Sequence, residues 1–383
     1  MNSFFATTTK SFVAQLFLII FFVSSIVLAG NPAKTDNSEA IEISFDDGPH
    51  VYWQNDTTAI IVYMCNDQIE KKILSGKDTL RFNGLCLDSE IEYKIPTLPP
   101  VAGPDIVNDG SRIFVVSDLH GEYQHFLNIL KNGGVIDENY HWIWGDGHLV
   151  IDGDVTDRGA HVTECLWLIY RLEQEAAAAG GAVHFVLGNH ELMVLRGDNR
   201  YVNERYLNGI CRKTRIRSED FYGPDLALGR WLRSKNAVIK INGILFVHGG
   251  ISPEVMTAYP ELSRLNKAAS RYLDLRSSQL AFNDEARFLF GSLGPFWYRG
   301  LFEEREGRYT RLTQVEVEAI LTNYDASSLV VGHTPVDTIS TLYDKCVYAL
   351  DVDVPVLGGL EALLWKEGLF YRVKTDGNLI LIE

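Results

Sequence analysis

Read for the spacing of apolar and polar positions, the chain changes character near residue 105. From Ile41 to about Pro96 it shows short runs, IEISF, AIIVYM, DTLRFNG and IEYKIP, separated by Asp, Gly and Asn turns. Runs of this length and period predict strands of a small all-β module over 38–98. Thr97 to Asp105 then carries Pro99, Pro100 and Pro104, which predicts a linker over 99–110. From Arg112 apolar runs alternate with amphipathic stretches. RIFVVS, HLVID and VHFVL read as strands, Tyr123 to Leu130 begins a helix, and Val162 to Ala179 forms a helix closed by Gly180-Gly181. That alternation predicts parallel strands joined by crossover helices in a domain over 111–383. Later runs, AVIKI, ILFVHG, SLVVGH, CVYALDV, EALLWK, LFYRV and LILIE, follow with few helices between them. They predict a second sheet with more antiparallel pairing. The charged segments from Arg200 to about Trp231 and from Leu262 to Gly300 read as helical insertions.

The first 29 residues have a different pattern. Lys10 precedes an uncharged apolar stretch from Phe12 to Ala29, with small residues at Val27-Leu28-Ala29 before Gly30-Asn31-Pro32. This predicts a cleaved signal peptide over 1–29 and an exported, periplasmic or secreted protein with no stable membrane insertion. An uncleaved anchor is the alternative, at the short end of a span. Export permits disulfides, and Cys65 with Cys86 can close a loop in the small module; two buried thiols are the alternative. Cys165 reads as helix core, and the absence of any C-x-x-C pair leaves no thiolate zinc site.

Composition narrows the field further. At 383 residues with a formal charge of −15, the chain lacks the cationic surface that nucleic-acid binding requires. The same charge would repel phosphate esters at long range, so any such substrate needs local cations.

Five polar motifs each follow an apolar run: Asp118-Leu119-His120-Gly121, Gly153-Asp154-Val155-Thr156-Asp157-Arg158-Gly159, Gly188-Asn189-His190-Glu191, His248-Gly249-Gly250 and Gly332-His333-Thr334. In open α/β sheets, ligands bind beyond the carboxyl ends of strands. Asp118 and His120, two residues apart, can face one side of extended chain and share an ion. Asp154 can bridge to a second ion completed by Asn189, His248 and His333. An oxygen and nitrogen donor set without sulfur suits two divalent metals among Mn, Fe and Zn. Such a pair can hold a hydroxide for in-line displacement on a phosphomonoester. His190 would protonate the leaving oxygen and Asp157 would hold its ring. Arg158 would fork onto phosphoryl oxygens, with Arg299 as second cation and Arg196 and Arg200 as alternatives. His125, His141, His148, His161 and His184 lack comparable context and read as structural.

These residues together resemble the PPP-type phosphoprotein phosphatases of the calcineurin-like metallophosphoesterase superfamily. The resemblance covers Arg112 to about Glu383, and is most specific over Asp154 to Gly159 and Asn189-His190-Glu191. It implies a four-layer αββα core with two mixed sheets, metal ligation at the six positions above, and an acid role for His190. TISTLYDKCVYALDVDVP after His333 replaces the Ser-Ala-Pro-Asn-Tyr loop of the eukaryotic Ser/Thr members. The exported start, the β-rich leader module and Trp297-Tyr298-Arg299-Gly300 look more like the Shewanella-like protein phosphatases, a branch that includes tyrosine-directed enzymes. The expected substrate is therefore a phosphorylated protein. A diadenosine-polyphosphate or other small phosphoester hydrolase is the runner-up, and a non-catalytic scaffold the remote alternative.

Overall fold

The computed structural model describes residues 46–84, 91–352, 354 and 358–382. The expected leader, the IEISF strand and Cys86 lie outside the described residues; Cys65 is disulfide-bonded. No described helix is long and apolar enough to cross a membrane.

In chain order the strands are β1 (Asp47–Asn55), β2 (Thr58–Cys65), β3 (Gln68–Ser75), β4 (Thr79–Asn83), β5 (Glu92–Pro96), β6 (Ile106–Val107), β7 (Ile113–Val116), β8 (His148–Ile151) and β9 (Ala182–Phe185). They continue with β10 (Ile239–Ile241), β11 (Ile244–Phe246), β12 (Ser328–Val331), β13 (Ser340–Leu342), β14 (Val347–Ala349), β15 (Ala362–Lys366), β16 (Leu369–Val373) and β17 (Leu379–Leu381). One six-stranded sheet runs β17-β16-β15-β7-β8-β9, and a second runs β13-β14-β12-β11-β10-β6. β7, β8 and β9 are parallel, as the alternation predicts, whereas β15, β16 and β17 extend the same sheet antiparallel. The expected assignment of these last strands to the second sheet is corrected here. Sequence spacing cannot reveal that β15 returns to pair with β7 across some 250 residues of intervening chain.

The layering follows from the two-residue period of each strand. Ile113 and Val115 of β7 point into the same cluster as Ile239, Ile241, Ile244, Phe246 and Val330, which fills the space between the sheets. Phe114 and Val116 point the other way, toward Phe126 and Leu130 of helix Tyr123–Asn132 and Leu166 and Ile169 of helix Val162–Ala179. On the second sheet, Leu245, Val247, Leu329 and Val331 share an outer cluster with Val317 and Ile320 of helix Gln314–Asn323. Two mixed sheets thus lie face to face with helices on both outer sides. Each of these fully buried side chains contributes roughly 1.5–3 kcal/mol on removal from water.

The amino-terminal strands form an antiparallel β1-β2-β3 sheet and a β4-β5 pair. β1 and β3 were not among the expected strands. β3, at the edge of its sheet, is almost wholly exposed and carries Lys71 and Lys72, so it has no apolar stripe to read. These strands share the outer cluster of the main body: Tyr93 stands 4.9 Å from the Trp167 ring, whose Nε1–H donates to the Pro49 carbonyl at 2.8 Å. β6 falls within the expected linker, just past its prolines, and pairs in parallel with β10.

Candidate active site

The carboxyl ends of β7, β8, β11 and β12, with the helix that follows β9, bring the five motifs to one buried place. The chain there is bent into unusual shapes. Asp118, His120, Asp154, Asp157, Arg158 and His333 all have positive φ, between 43° and 70°. Left-handed backbone at non-glycine residues costs free energy and persists where the surroundings fix it. The crowding shows why glycines flank them. A Cβ on Gly188 would meet Asp154 Oδ1 at 2.2 Å, and one on Gly332 would meet Asp118 Oδ2 at 2.3 Å.

The His120 and His248 rings are each held so that Nε2 faces inward. His120 Nδ1 donates to the Thr156 carbonyl at 2.9 Å, which leaves Nε2 3.8 Å from Asp154 Oδ2. His248 Nδ1 donates to the Asp152 carbonyl at 2.7 Å, and its Nε2 lies 3.1 Å from both Asn189 Oδ1 and Asp154 Oδ2. His333 Nε2 is buried and has no hydrogen-bond partner among the described residues. Asp118 accepts from Ser117 Oγ at 2.6 Å and from the His333 N–H at 3.2 Å. Asp154 accepts the His190 N–H at 2.9 Å.

Two triplets of potential ligands result, His120-Asp154-His190 and Asp154-His248-His333, and Asp154 belongs to both. Asp118 stands outside the triplets but joins them electrostatically, since its carboxyl interacts with His248 and Asp154. His190 stands inside one triplet, yet its Nδ1 is committed to Asp157 Oδ2 at 2.7 Å. Its Nε2 lies 3.9 Å from Asp154 Oδ2 and 3.5 Å from Arg158 Nη2. An unpartnered buried imidazole nitrogen, imidazoles anchored on backbone carbonyls and a shared carboxylate fit a divalent cation.

Titration follows the same charges. Burial raises Asp154, but the imidazoles of His248, His190 and His120 together hold it well below the ordinary carboxylate range. Burial depresses His248, and the Asp154 and Asp118 carboxylates overcome this and raise it. Burial brings His120 down to about 4 and depresses His333 strongly, the latter helped by the charges of His248 and Arg299. Burial raises Asp118, and the neighbouring Asp351 adds to the shift.

Of the three candidates for a second cation, the structure brings Arg299 to the site. Its charge acts on His333 and Asp351, and the adjacent Trp297 ring meets the His333 ring edge-on at 5.6 Å. Arg196 instead donates to the Leu275 carbonyl at 2.7 Å and covers the Phe290 ring. Arg200 is exposed and forks onto Asp198. The histidines read as structural are occupied elsewhere: His141 with Glu175, His161 with Glu164, His148 with His184 and Asp109, and His125 near Glu122.

Sequence reading gave no role to three groups. Glu191 is fully buried, and its carboxylate accepts the N–H groups of Asp154, Val155, Thr156 and Gly188 and the Thr156 hydroxyl, at 2.8–3.0 Å. It fixes the bend that carries Asp154 and Asp157. Asp351 follows β14 and lines a cavity of about 290 Å³ with Asp118, His120 and Arg158. Burial raises its carboxyl to about 6 despite nearby His248. The rule that selected Asp118, a polar residue beyond the carboxyl end of a strand, would have selected Asp351 too. Tyr201, 5.3 Å from the His190 ring, offers its carbonyl to the Arg158 N–H; no sequence signal marks it.

Comparison with known proteins decides the family. Residues 111–337 match the model of the calcineurin-like phosphoesterases. The chain belongs to this family. It falls in the Shewanella-like branch of the PPP-type phosphatases and is a metal-dependent phosphatase. The phosphoesterase is 26% identical over 231 residues to Shewanella-like protein phosphatase 1 of Plasmodium berghei, covering 60% of this chain and 63% of that one. It is 29% identical over 184 residues to Shewanella-like protein phosphatase 2 of Arabidopsis thaliana, covering 37% and 47%. The phosphoesterase thus spans less than two thirds of either relative. The crystal structure of a cold-active protein-tyrosine phosphatase from a psychrophilic Shewanella species superposes with a TM-score of 0.80 at 33% identity. That match covers 88% of this chain and 100% of that one.

Proposed function

We propose that the chain is an exported phosphoprotein phosphatase directed at phosphotyrosine and working with two divalent ions drawn from Mn, Fe or Zn. The observation that carries the reading is the convergence of Asp118, His120, Asp154, Asn189, His248 and His333 in one buried pocket beside the His190–Asp157 pair, at 2.7 Å. Similarity along nearly its whole length to a tyrosine phosphatase supports the substrate class. When bound, the ions would supply Lewis acidity toward the phosphoryl group and lower the pKa of water.

The chain's own side chains do the rest. Asp157 accepts the Nδ1–H of His190, so the imidazolium turns its Nε2–H to the site, passes that proton to the leaving phenolate oxygen and is left as the Nδ1–H tautomer. Arg158 offers a planar fork to the phosphoryl oxygens, and Arg299 adds a second positive charge. Both counter the overall charge of −15 locally. Glu191 holds the Asp154–Asp157 bend in register throughout.

The test is reconstitution of chelated protein with Mn, Fe or Zn, followed by assays on phosphotyrosine peptide, phosphoserine peptide and dinucleotide. Metal-dependent turnover that is fastest on phosphotyrosine is expected. A dinucleotide preference would overturn the substrate, and equal turnover without metal would overturn the mechanism. Export rests on the apolar Phe12–Ala29 stretch, and recovery of mature protein beginning near Gly30 outside the cytoplasm would test it.

A further inference from the structure

Beside Arg299 lies a second cavity, of about 550 Å³, which the chemistry described above does not use. Trp297, Arg299, Glu303, Arg305, Arg308 and Tyr309 line it. Two of these tie it to the reaction centre, since Trp297 packs on His333 and the charge of Arg299 reaches His333 and Asp351. Trp297 and Arg299 thus set one wall of the cavity next to the reaction centre.

Its charge departs from that of the whole chain. Three guanidinium groups face one carboxylate in a protein with a formal charge of −15. Among the described residues none of the three forms an ion pair, whereas Arg200, Arg233, Arg276 and Arg287 each do. Glu304 and Glu306, on the same turn, do not line the cavity. The Tyr309 hydroxyl lies 3.5 Å from Glu303 Oε1, and the charges of Arg305 and Arg299 act on it against that carboxylate.

The turn that presents the arginines is fixed. Arg305 and Tyr309 form an antiparallel bridge, with the Arg305 N–H donating to the Tyr309 carbonyl at 2.8 Å. The Arg308 N–H donates to the Arg305 carbonyl at 2.9 Å, and the Tyr309 ring packs on the Tyr298 ring at 5.4 Å. Guanidinium groups carried on an ordered turn lose less freedom on meeting a carboxylate, and their planar forks match its two oxygens. The aromatic walls suit the apolar part of a peptide.

We propose that this cavity is a specificity subsite for a carboxylate side chain that flanks the phosphorylated residue, so that acidic peptides are the selected substrates. The assignment rests on the phosphoprotein phosphatase reading. Acidic flanks would gain through KM, because the contact is made equally in the bound substrate and the transition state.

The experiment compares the metal-loaded full chain with Arg305→Gln/Arg308→Gln and Arg305→Glu/Arg308→Glu. Substrates are phosphotyrosine peptides identical except for Glu, Gln or Lys flanks, a doubly phosphorylated peptide, and a small aryl phosphate. The wild type is expected to favour Glu over Lys flanks about tenfold in kcat/KM, mostly through KM and less at high salt. The Gln pair should lose the preference, the Glu pair should invert it, and aryl phosphate turnover should stay within about twofold in both. Equal kcat/KM on all flanks, or a preference that survives both variants, overturns the subsite while the phosphatase reading stands. Selection of the doubly phosphorylated peptide over Glu flanks overturns the carboxylate as occupant. Hydrolysis of aryl phosphate with no peptide turned over defeats the phosphoprotein reading, and the subsite with it.

Discussion

The two ends of the β7-β8-β9 strands carry the same residue types and do opposite things with them. From the amino end of β8, His148 Nδ1 reaches His184 Nε2 of β9 at 3.0 Å, and His148 Nε2 lies 3.0 Å from an Asp109 oxygen. That chain closes on itself, and no nitrogen of either ring is a buried atom without a partner. The backbone there keeps its extended ladder, with His148 paired to Ala182 and His184 to Val150. Beyond the carboxyl ends, six site residues take positive φ, His333 Nε2 has no partner, and Asp154 sits among three imidazoles. Histidines paired with an aspartate therefore do not by themselves mark chemistry. Unsatisfied valence on a strained backbone does.

The sharpest way to break this contrast is to remove its central carboxylate. Asp154→Asn keeps the shape and the acceptor for the His190 N–H but gives up the charge that both ligand triplets share. Metal-dependent turnover is expected to fall about a thousandfold or more, with far-UV circular dichroism unchanged. A drop below tenfold would show that the two triplets do not work through Asp154. Chelation of the wild type should abolish turnover and lower Tm, since a ligand bound to the native state stabilises it by mass action.

His190→Asn tests the acid beside the cluster. A loss of about 10²–10⁴ in kcat is expected with a phosphotyrosine peptide, the range for general acid catalysis. The loss should shrink with a good leaving group such as nitrophenolate, which needs no proton. An equal loss on both substrates would make His190 a ligand or a prop instead.

Glu191→Gln probes the support beneath the site with a smaller effect. The substitution sets an amide N–H₂ against a ring of donors that the carboxylate now accepts. Loss of about tenfold to a hundredfold in metal affinity is expected, with stability falling by about 2–3 kcal/mol. Unchanged metal affinity alongside the stability loss would confine Glu191 to folding.

Much of this was legible in the chain. Asp118, Asp154 and Asn189 each follow an apolar run that forms a strand of the first sheet, so placing them at strand ends placed them in the site. Helix Val162–Ala179 was readable because its apolar face and its left-handed Gly180 cap both leave local signals. The illegible parts are those set by distant contacts. β15 to β17 join the first sheet through a pairing with β7 that no local period encodes. β3 is exposed and hides its strand period under charge. Glu191 looks like one letter of a motif, and only the fold shows five donors aimed at it. Arg299 could be told from Arg196 and Arg200 only once the fold showed which guanidinium groups were already taken.

The smallest effect is expected at the amino ends, where it sharpens the comparison by its independence from turnover. Burial, with the charges of His148 and Lys235, lowers the His184 ring to about 3 from an ordinary 6.5, against the opposing charge of Asp109. Between those two values the unfolded chain takes up a proton that the folded chain refuses. Stability must therefore fall as pH drops below about 6.5, by at most about 1.4 kcal/mol per pH unit from this ring, and level off below about 3. His184→Leu removes the titration, at the cost of the hydrogen bond to His148. Denaturant melts of variant and wild type at pH 7.5 and 5.5 isolate it, because His120 and His333, depressed in the same direction, cancel in the difference. The variant should lose about 1 kcal/mol less than the wild type over that interval, with pH 7.5 turnover unchanged within about twofold. Parallel losses in the two proteins would mean that the amino-end histidines share their charge freely with solvent. The division into a satisfied end and a reactive end would then fail.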